Sequence, residues 1–275
     1  VDQLPQGHGF HVSRTQIDDT PSTDSWIALC RQSAGRLDLF AMMAVDIVAT
    51  LAGLSGGDVR IVPAFLGRIK AWQEFMRTGA SGLLGAEAET GLFGELEFMR
   101  GLIDSGLPGS VAVEAWRGPL GGVHDFVFGP GAIEVKSTVM QNCFLATIGS
   151  LEQLDDSLVQ PLFLAGMRLT LDQNGRTLPA IVSLIRQSLI ADPTILARFD
   201  SCLLHSGYLD SMAGNYSRSF RLLETRIHSV NDVFPRLTRA NVALAVRSAC
   251  YDIDLDLANL VTVSQTDALK QLGVR

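Results

Sequence analysis

Lysine is scarce in this chain. Only Lys70, Lys136 and Lys270 occur among 275 residues, so a lysine set between apolar residues stands out. The cysteines, Cys30, Cys143, Cys202 and Cys250, lie far apart with no CxxC pair. The plain reading is reduced thiols in a cytoplasmic protein, not a disulfide frame or a zinc site. No GxxxxGK phosphate loop occurs and no GxGxxG follows a strand. His8 and His11 fall in a polar N-terminal stretch, and the scattered His205 and His228 support no catalytic triad. Long apolar runs are missing as well. Residues 39–54, LFAMMAVDIVATLAGL, are too short for a bilayer span and are interrupted by Asp46, so a buried helix and no membrane are expected. There is no internal repeat or low-complexity tract. The opening VDQLPQGHGF has no signal-peptide core and begins at Val1, not Met, so a trimmed or partial chain is expected.

What is present is a chain long enough for a large core and one or two domains. Hydrophobic residues make up 47% and mean hydropathy is +0.23, which leaves room for a partner surface. The net charge of −7 argues against a nucleic-acid partner, but the charge is unevenly spread. Residues 217–247 hold Arg218, Arg221, Arg226, Arg236, Arg239 and Arg247 against Glu224 and Asp232, a balance of +4. Residues 1–60 carry seven aspartates against four arginines, a balance of −3. The arginines are open to two readings, a solvated or acid-paired face or a phosphate-binding one. Tyr216, Phe220 and Phe234 among them read as core.

The stretch that organises the chain is HDFVFGPGAIEVKS, residues 124–137. It reads as two short apolar strands around a Gly-Pro-Gly turn, with Asp125, Glu134 and Lys136 set into them. Charge on buried strands is costly unless compensated. Two carboxylates beside an ammonium suit a divalent cation and a water next to a phosphate. A two-residue Pro130-Gly131 loop places Val127 opposite Glu134 and Asp125 opposite Lys136, all three charges on one face. Phe126, Phe128, Ile133 and Val135 then face a core. His124-Asp125 also resembles the HD pair of metal phosphohydrolases, but here the pair begins a strand where that class needs ligands on helices.

Residues 1–35 read as polar and turn-rich, with a helix entry at Pro21, Ser22, Thr23 and Asp24 before Trp26. Helices are expected over residues 36–52, 63–78 and 87–105, and a short strand over 59–62. Residues 79–85 read as a flexible joint. On the third helix Leu92, Leu96, Met99, Leu102 and Ile103 define the apolar sector, with Glu95 inside it and Glu97 opposite, beside Arg100 and Asp104. Residues 111–116 read as a strand, 150–157 as helical, and 160–171 as a strand ended by an Asp-Gln-Asn-Gly turn. Helices over 178–191 and 193–206, strands over 218–230 and 243–253, and a final helix over 264–272 follow. The order is mixed α/β (α+β), without a long βαβ series.

By itself an acidic residue two positions before one of three lysines is a weak motif, arising by chance roughly one time in three. The context adds weight. Asp125 followed by Glu134-Val135-Lys136 resembles the PD-(D/E)XK signature of restriction-endonuclease-like nucleases. The wider text, GLFGELEFM, WRGPLGGVHDFVFGPGAIEVKST and SLEQL, with VFPRLT further on, is similar to bacterial PD-(D/E)XK motif proteins associated with restriction and phage-defence loci. The resemblance runs from about residue 36 to 255 and is most specific over residues 91–153. His124 stands where the signature has proline.

The resemblance implies a nuclease-like core over residues 86–190, after a mainly helical segment 1–85 and before an α/β extension 191–275 that contacts DNA or a partner. It implies a cytoplasmic, Mg²⁺-dependent DNA endonuclease, with Mn²⁺ as a substitute, working with partner proteins of a restriction or defence system. Asp125, Glu134 and the Val135 carbonyl would hold the metal, Glu95 would add a ligand directly or through water, and Lys136 would orient the attacking water. Gln153 would face phosphate or support the ligands, and a homodimer would serve double-strand cleavage. The blander readings are an Asp125–Lys136 cross-strand pair, Glu95 paired with an arginine, and Gln153 as a capping residue. The alternative functions are a non-catalytic module binding DNA or a partner subunit, and a small-molecule phosphohydrolase.

Overall fold

The computed structural model describes residues 4–7, 9–16, 26–52, 54, 59–77, 83–157 and 159–274. Two compact units make up the chain, Val1–Leu83 with Asp200–Gly214, and Leu84–Phe199 with Asn215–Arg275.

In the first unit, β1 (Gln6–Gly7), β2 (Phe10–Thr15) and β3 (Trp26–Arg31) form an antiparallel sheet in that order. The stretch expected to be turn-rich is therefore largely strand among its described residues. The cause is the alternation of Phe10 and Val12, both buried, with half-buried His11 and Ser13. Trp26 begins β3 and enters no helix; residues 17–25, with the expected helix entry, lie outside the described residues. The helices α1 (Leu37–Ala52) and α2 (Ile61–Arg77) follow, and the strand expected over 59–62 is instead a turn leading into α2. Met43, Ile47, Ile69, Trp72 and Phe75 pack with Phe10, Val12, Leu204 and Leu209 into one core. Asp46 is the joint between the helices. Its carboxylate accepts from Arg68 Nε (2.7 Å) and Nη2 (2.6 Å) and from Trp72 Nε1 (2.6 Å), which compensates its removal from water.

The second unit is built on a four-stranded sheet, β4 (Phe126–Phe128), β5 (Gly131–Thr138), β7 (Leu162–Thr177) and β8 (Ser219–Val230), adjacent in that order. The β4–β5 and β7–β8 pairs are antiparallel and β5–β7 is parallel. A separate antiparallel pair joins β6 (Leu145–Ile148) to β9 (Tyr251–Asp254). One face of the main sheet is covered by α3 (Ala86–Asp104), whose Phe98 stacks on Phe126 at 5.4 Å and Phe93 on Phe220 at 4.7 Å. The other face buries Ala132, Leu162 and Leu164 against Phe144, Ile148, Leu154 and Ile253. A strand buried on both faces reads as continuous apolar sequence, so Glu134, 1% exposed in the middle of β5, is out of place unless it has a task.

Several local expectations are overturned. Residues 111–115 fall in a helix, α4 (Gly109–Ala115), entered from Pro108, because Ala112, Val113 and Ala115 bury one helical face, and only Trp116 is extended; tertiary packing outweighs the strand preference of the valines. Residues 150–157 form turns, not a helix. The Asp172–Gly175 turn does not end β7. Leu171 and Arg176 both pair with Phe220, so the turn bulges out and the strand resumes. Of the strand expected over 243–253 only β9 forms. The helices α5 (Leu178–Leu189), α6 (Pro193–His205) and α7 (Gln265–Gln271) lie where the sequence places them, α7 capped by Ser264, which accepts from Asp267 N. Among the described residues no helix is long and apolar enough to cross a membrane.

The arginine series is mostly paired inside the second unit. Arg218 meets Glu89 (3.3 Å), Arg221 Asp172 (2.6 Å), Arg226 Glu224 (2.6 Å), Arg236 Asp156 (2.9 Å) and Arg239 Glu152 (2.8 Å). Tyr216, Phe220 and Phe234 are core residues.

The contact of α3 with β5 depends on a missing side chain. A Cβ at Gly94 would lie 1.6 Å from Ser137 Oγ and 2.7 Å from its Cβ. Gly94→Ala improves helix propensity yet is expected to destabilise the protein by about 1–3 kcal/mol, because overpacking outweighs propensity here. Urea denaturation measures this, and adding Ser137→Gly should recover much of the loss. A stabilised Gly94→Ala protein would contradict the packing.

Candidate active site

The hairpin carrying the charges has a different register from the one the turn sequence suggests. Phe128 pairs with Gly131, Val127 with Ala132 and Phe126 with Ile133. The loop is therefore Gly129-Pro130, with Gly129 at φ +53° in the first loop position. A mirror-image turn needs positive φ there, which glycine supplies, and proline fits second. Relative to the expected pairing the strands slip by two residues. A slip of two conserves the face of every side chain, where a slip of one would not. Continued by one step, this register sets Asp125 opposite Glu134.

β4 is too short to cover β5 along its length. Where it stops, the carboxylate of Asp125 takes over. Its Oδ2 accepts the Val135 N–H at 2.8 Å, as a strand carbonyl would. The residue is clamped from behind by the segment 116–118. Arg117 N and Gly118 N donate to the Asp125 carbonyl at 2.7 and 3.1 Å, and Trp116 bridges to Phe126. Trp116 also reaches α3, its Nε1 donating to Glu95 Oε2 at 2.7 Å. Gly118 completes the cradle. A Cβ there would lie 2.7 Å from Asp125 Oδ1 and 3.5 Å from Glu95 Oε2, so any side chain would intrude between the two carboxylates. Neither Trp116 nor Gly118 was singled out from sequence. The only available sign was their place in the WRGPLGG text just ahead of the hairpin.

The electrostatics of the cluster follow from burial. Glu95 is held well above the usual carboxylate range, first by desolvation, then by the Asp125 charge and more weakly by Glu134, against the Trp116 hydrogen bond. Asp125 is raised by desolvation, opposed by the Val135 N–H and by Lys136. Glu134 is pushed up to about 8 by desolvation and by Asp125, opposed by Lys136. Lys136 Nζ lies 2.8 Å from Glu134 Oε1, and Glu134 Oε2 is buried with no hydrogen-bond partner among the described residues. Three carboxylates share one ammonium. Lys136 pairs with Glu134 and not across the hairpin with Asp125, and the partner of Glu95 is a tryptophan, not an arginine.

The remaining residues fall differently. Glu97, expected on the polar side of α3, is 4% exposed and pairs with Arg100 Nη2 at 2.6 Å. The helix is covered on more than one side, so a single-stripe reading misplaces Glu97. Gln153 Oε1 accepts from Gly149 N at 2.7 Å, a loop-capping contact, while its backbone bonds to the His124 ring. No contact joins its side chain to the carboxylates.

Hard carboxylate oxygens, one of them buried and orphaned, and a cradle kept open by Gly118 suit Mg²⁺ chemistry. Among the described residues, no three His, Cys, Asp or Glu side chains are gathered tightly enough to enclose an ion as they stand.

Residues 2–256 match the family model described as "Putative PD-(D/E)XK family member (DUF4420)". No curated protein and no solved structure matches the chain.

The raised carboxylates make metal-free stability depend on pH. Between about 4.5 and 8 the unfolded chain has released the Glu134 proton and the folded one still holds it, so stability falls as pH rises through that window. In EDTA, Glu134→Gln should therefore melt above the wild type at pH 8 by an amount on the order of a few kcal/mol, and the gap should close towards pH 4.5. Thermal melts across pH measure this; a gap that widens towards acid would contradict the assignment.

Proposed function

We propose, since the chain belongs to this PD-(D/E)XK family (DUF4420), that it is a metal-dependent DNA endonuclease hydrolysing phosphodiester bonds at the Asp125–Glu134–Lys136 cluster. The observation that carries this reading is the meeting of Glu95, Asp125 and Glu134 in one desolvated cluster with Lys136, where ionisation is unfavourable without added positive charge. Asp125, Glu134 and the Val135 carbonyl would hold Mg²⁺, with Mn²⁺ as a substitute, and Glu95 would join them directly or through water. Such an ion supplies Lewis-acid polarisation of the phosphate and a lowered pKa for water.

The chain's own residues do the rest. The Val135 N–H and the clamp at residues 116–118 hold Asp125 in one orientation, so little reorganisation is needed when substrate arrives. Trp116 holds one Glu95 oxygen and directs the carboxylate towards Asp125. Lys136 orients the attacking water and stabilises charge that builds on the phosphate oxygens. Gln153 supports the site at a distance, through the loop that backs His124. A bacterial restriction or phage-defence setting, a cytoplasmic location, partner proteins and a homodimer for double-strand cleavage belong to the same proposal and rest on the family resemblance.

A second reading, a non-catalytic module that binds DNA or a partner subunit, is favoured by one observation. The described carboxylates do not already enclose an ion-sized space.

Plasmid cleavage separates the two. With Mg²⁺ or Mn²⁺ the wild type is expected to nick or linearise supercoiled DNA, EDTA to abolish this, and Asp125→Ala and Lys136→Ala each to slow it by about 100-fold or more. Cleavage that survives both substitutions would remove the nuclease reading. A wild type that shifts DNA at low salt but never cuts it would establish the binding module.

A further inference from the structure

The cluster has three carboxylates and one lysine, so even with a bound dication it offers a phosphodiester no net positive charge. Binding a nucleic acid needs further cations, because phosphate contacts dominate that affinity. Most arginines that approach the sheet are neutralised by a carboxylate, as the Arg218 to Arg239 series is. Arg117 is different. It is exposed, and its guanidinium makes no hydrogen bond or ion pair with another described residue.

Its position is nevertheless fixed. The Arg117 N–H donates to the Asp125 carbonyl at 2.7 Å, and its own carbonyl accepts from Leu120 N (2.9 Å) and Gly122 N (3.1 Å). A Cβ at Gly122 would stand 2.9 Å from the Arg117 Cβ, so the loop turns back closely on this residue while leaving the arginine head uncovered. Arg117 also lines a groove of about 500 Å³ with Val111, Glu114, Val127, Pro130 and Leu272. The groove is linked to the carboxylates through its lining: Val127 of β4 is two residues from Asp125, and Gly118, next to Arg117, is where a Cβ would lie 2.7 Å from Asp125 Oδ1 and 3.5 Å from Glu95 Oε2.

We infer that Arg117 is a substrate-binding residue, its guanidinium gripping a backbone phosphate of the nucleic acid next to the scissile bond. This rests on the nuclease reading above and adds a specific contact to it. Its backbone orients Asp125 and its side chain holds the substrate. A planar, permanently charged fork on a fixed backbone is suited to a phosphate's paired oxygens. Displacement of a condensed counterion by this side chain should appear in the salt dependence of binding.

The test uses the full chain and a short fluorescein-labelled DNA duplex, with Ca²⁺ replacing Mg²⁺ to prevent turnover, followed by anisotropy over a salt series. Arg117→Gln, which keeps the stem near Gly122, is expected to bind roughly tenfold more weakly and to lower the log Kd against log salt slope by about one. Arg117→Lys should restore the slope and only part of the affinity. Both should melt like the wild type, since the backbone bonds to Asp125 are unchanged. An Arg117→Gln protein with wild-type affinity and slope, beside a wild type that binds and cuts, would overturn this inference and leave the nuclease reading standing. A wild type that neither binds nor cuts DNA would remove both.

Discussion

The burial of three carboxylates against a single lysine is the constraint on which the second unit's arrangement turns. Taking Glu134 to 1% exposure inside a sheet covered on both faces costs several kcal/mol unless the charge is neutralised or compensated. Lys136 compensates one oxygen, the Val135 N–H steadies Asp125, and Trp116 steadies Glu95. What remains is an orphaned oxygen and carboxylates that resist ionisation. An apolar residue at 134 would pack in β5 without that cost, which supports the functional reading proposed for this cluster. A site completed by a cation and a phosphate has a reason to retain the cost.

Convergence of these groups is bought by small residues at three places. Gly94 lets α3 lie against Ser137, which brings the next residue, Glu95, to the sheet. Gly118 lets the 116–118 segment close on Asp125 and Glu95 without filling the space between them. Gly129 allows the mirror-image turn that sets the β4–β5 register. The first unit uses a different device, a fully bonded Asp46–Arg68–Trp72 group, to join α1 and α2. There the half-buried Asp46 carboxylate is satisfied by its partners.

Much of this was legible in the residues because side-chain periodicity is local. The long helices, the two long strands β7 and β8, and the α7 cap follow from patterns within ten or twenty residues. Asp125, Glu134 and Lys136 could be placed on the hairpin by parity, and parity survived a two-residue error in the turn because strands repeat every two residues. Failures came where packing overrode a local preference. The valines of α4 lie in a helix, SLEQLDDS forms turns, and the N-terminal stretch pairs into a sheet. Glu97 went astray for the same reason, since a helix buried on several sides has no single polar face.

The sequence by itself determined the chemistry available: which carboxylates, which lysine, which strand parity, and the text that resembles a nuclease family. Those are properties of neighbouring residues and of spacing. Only the tertiary structure decided the partners. That Trp116 holds Glu95, that Asp125 caps the strand edge at Val135, that Gly118 keeps the cradle open and that Lys136 pairs with Glu134 depend on approaches between α3, the 116–118 segment and the sheet. Contacts between elements come from how their buried faces fit, and one-dimensional spacing carries no record of that fit.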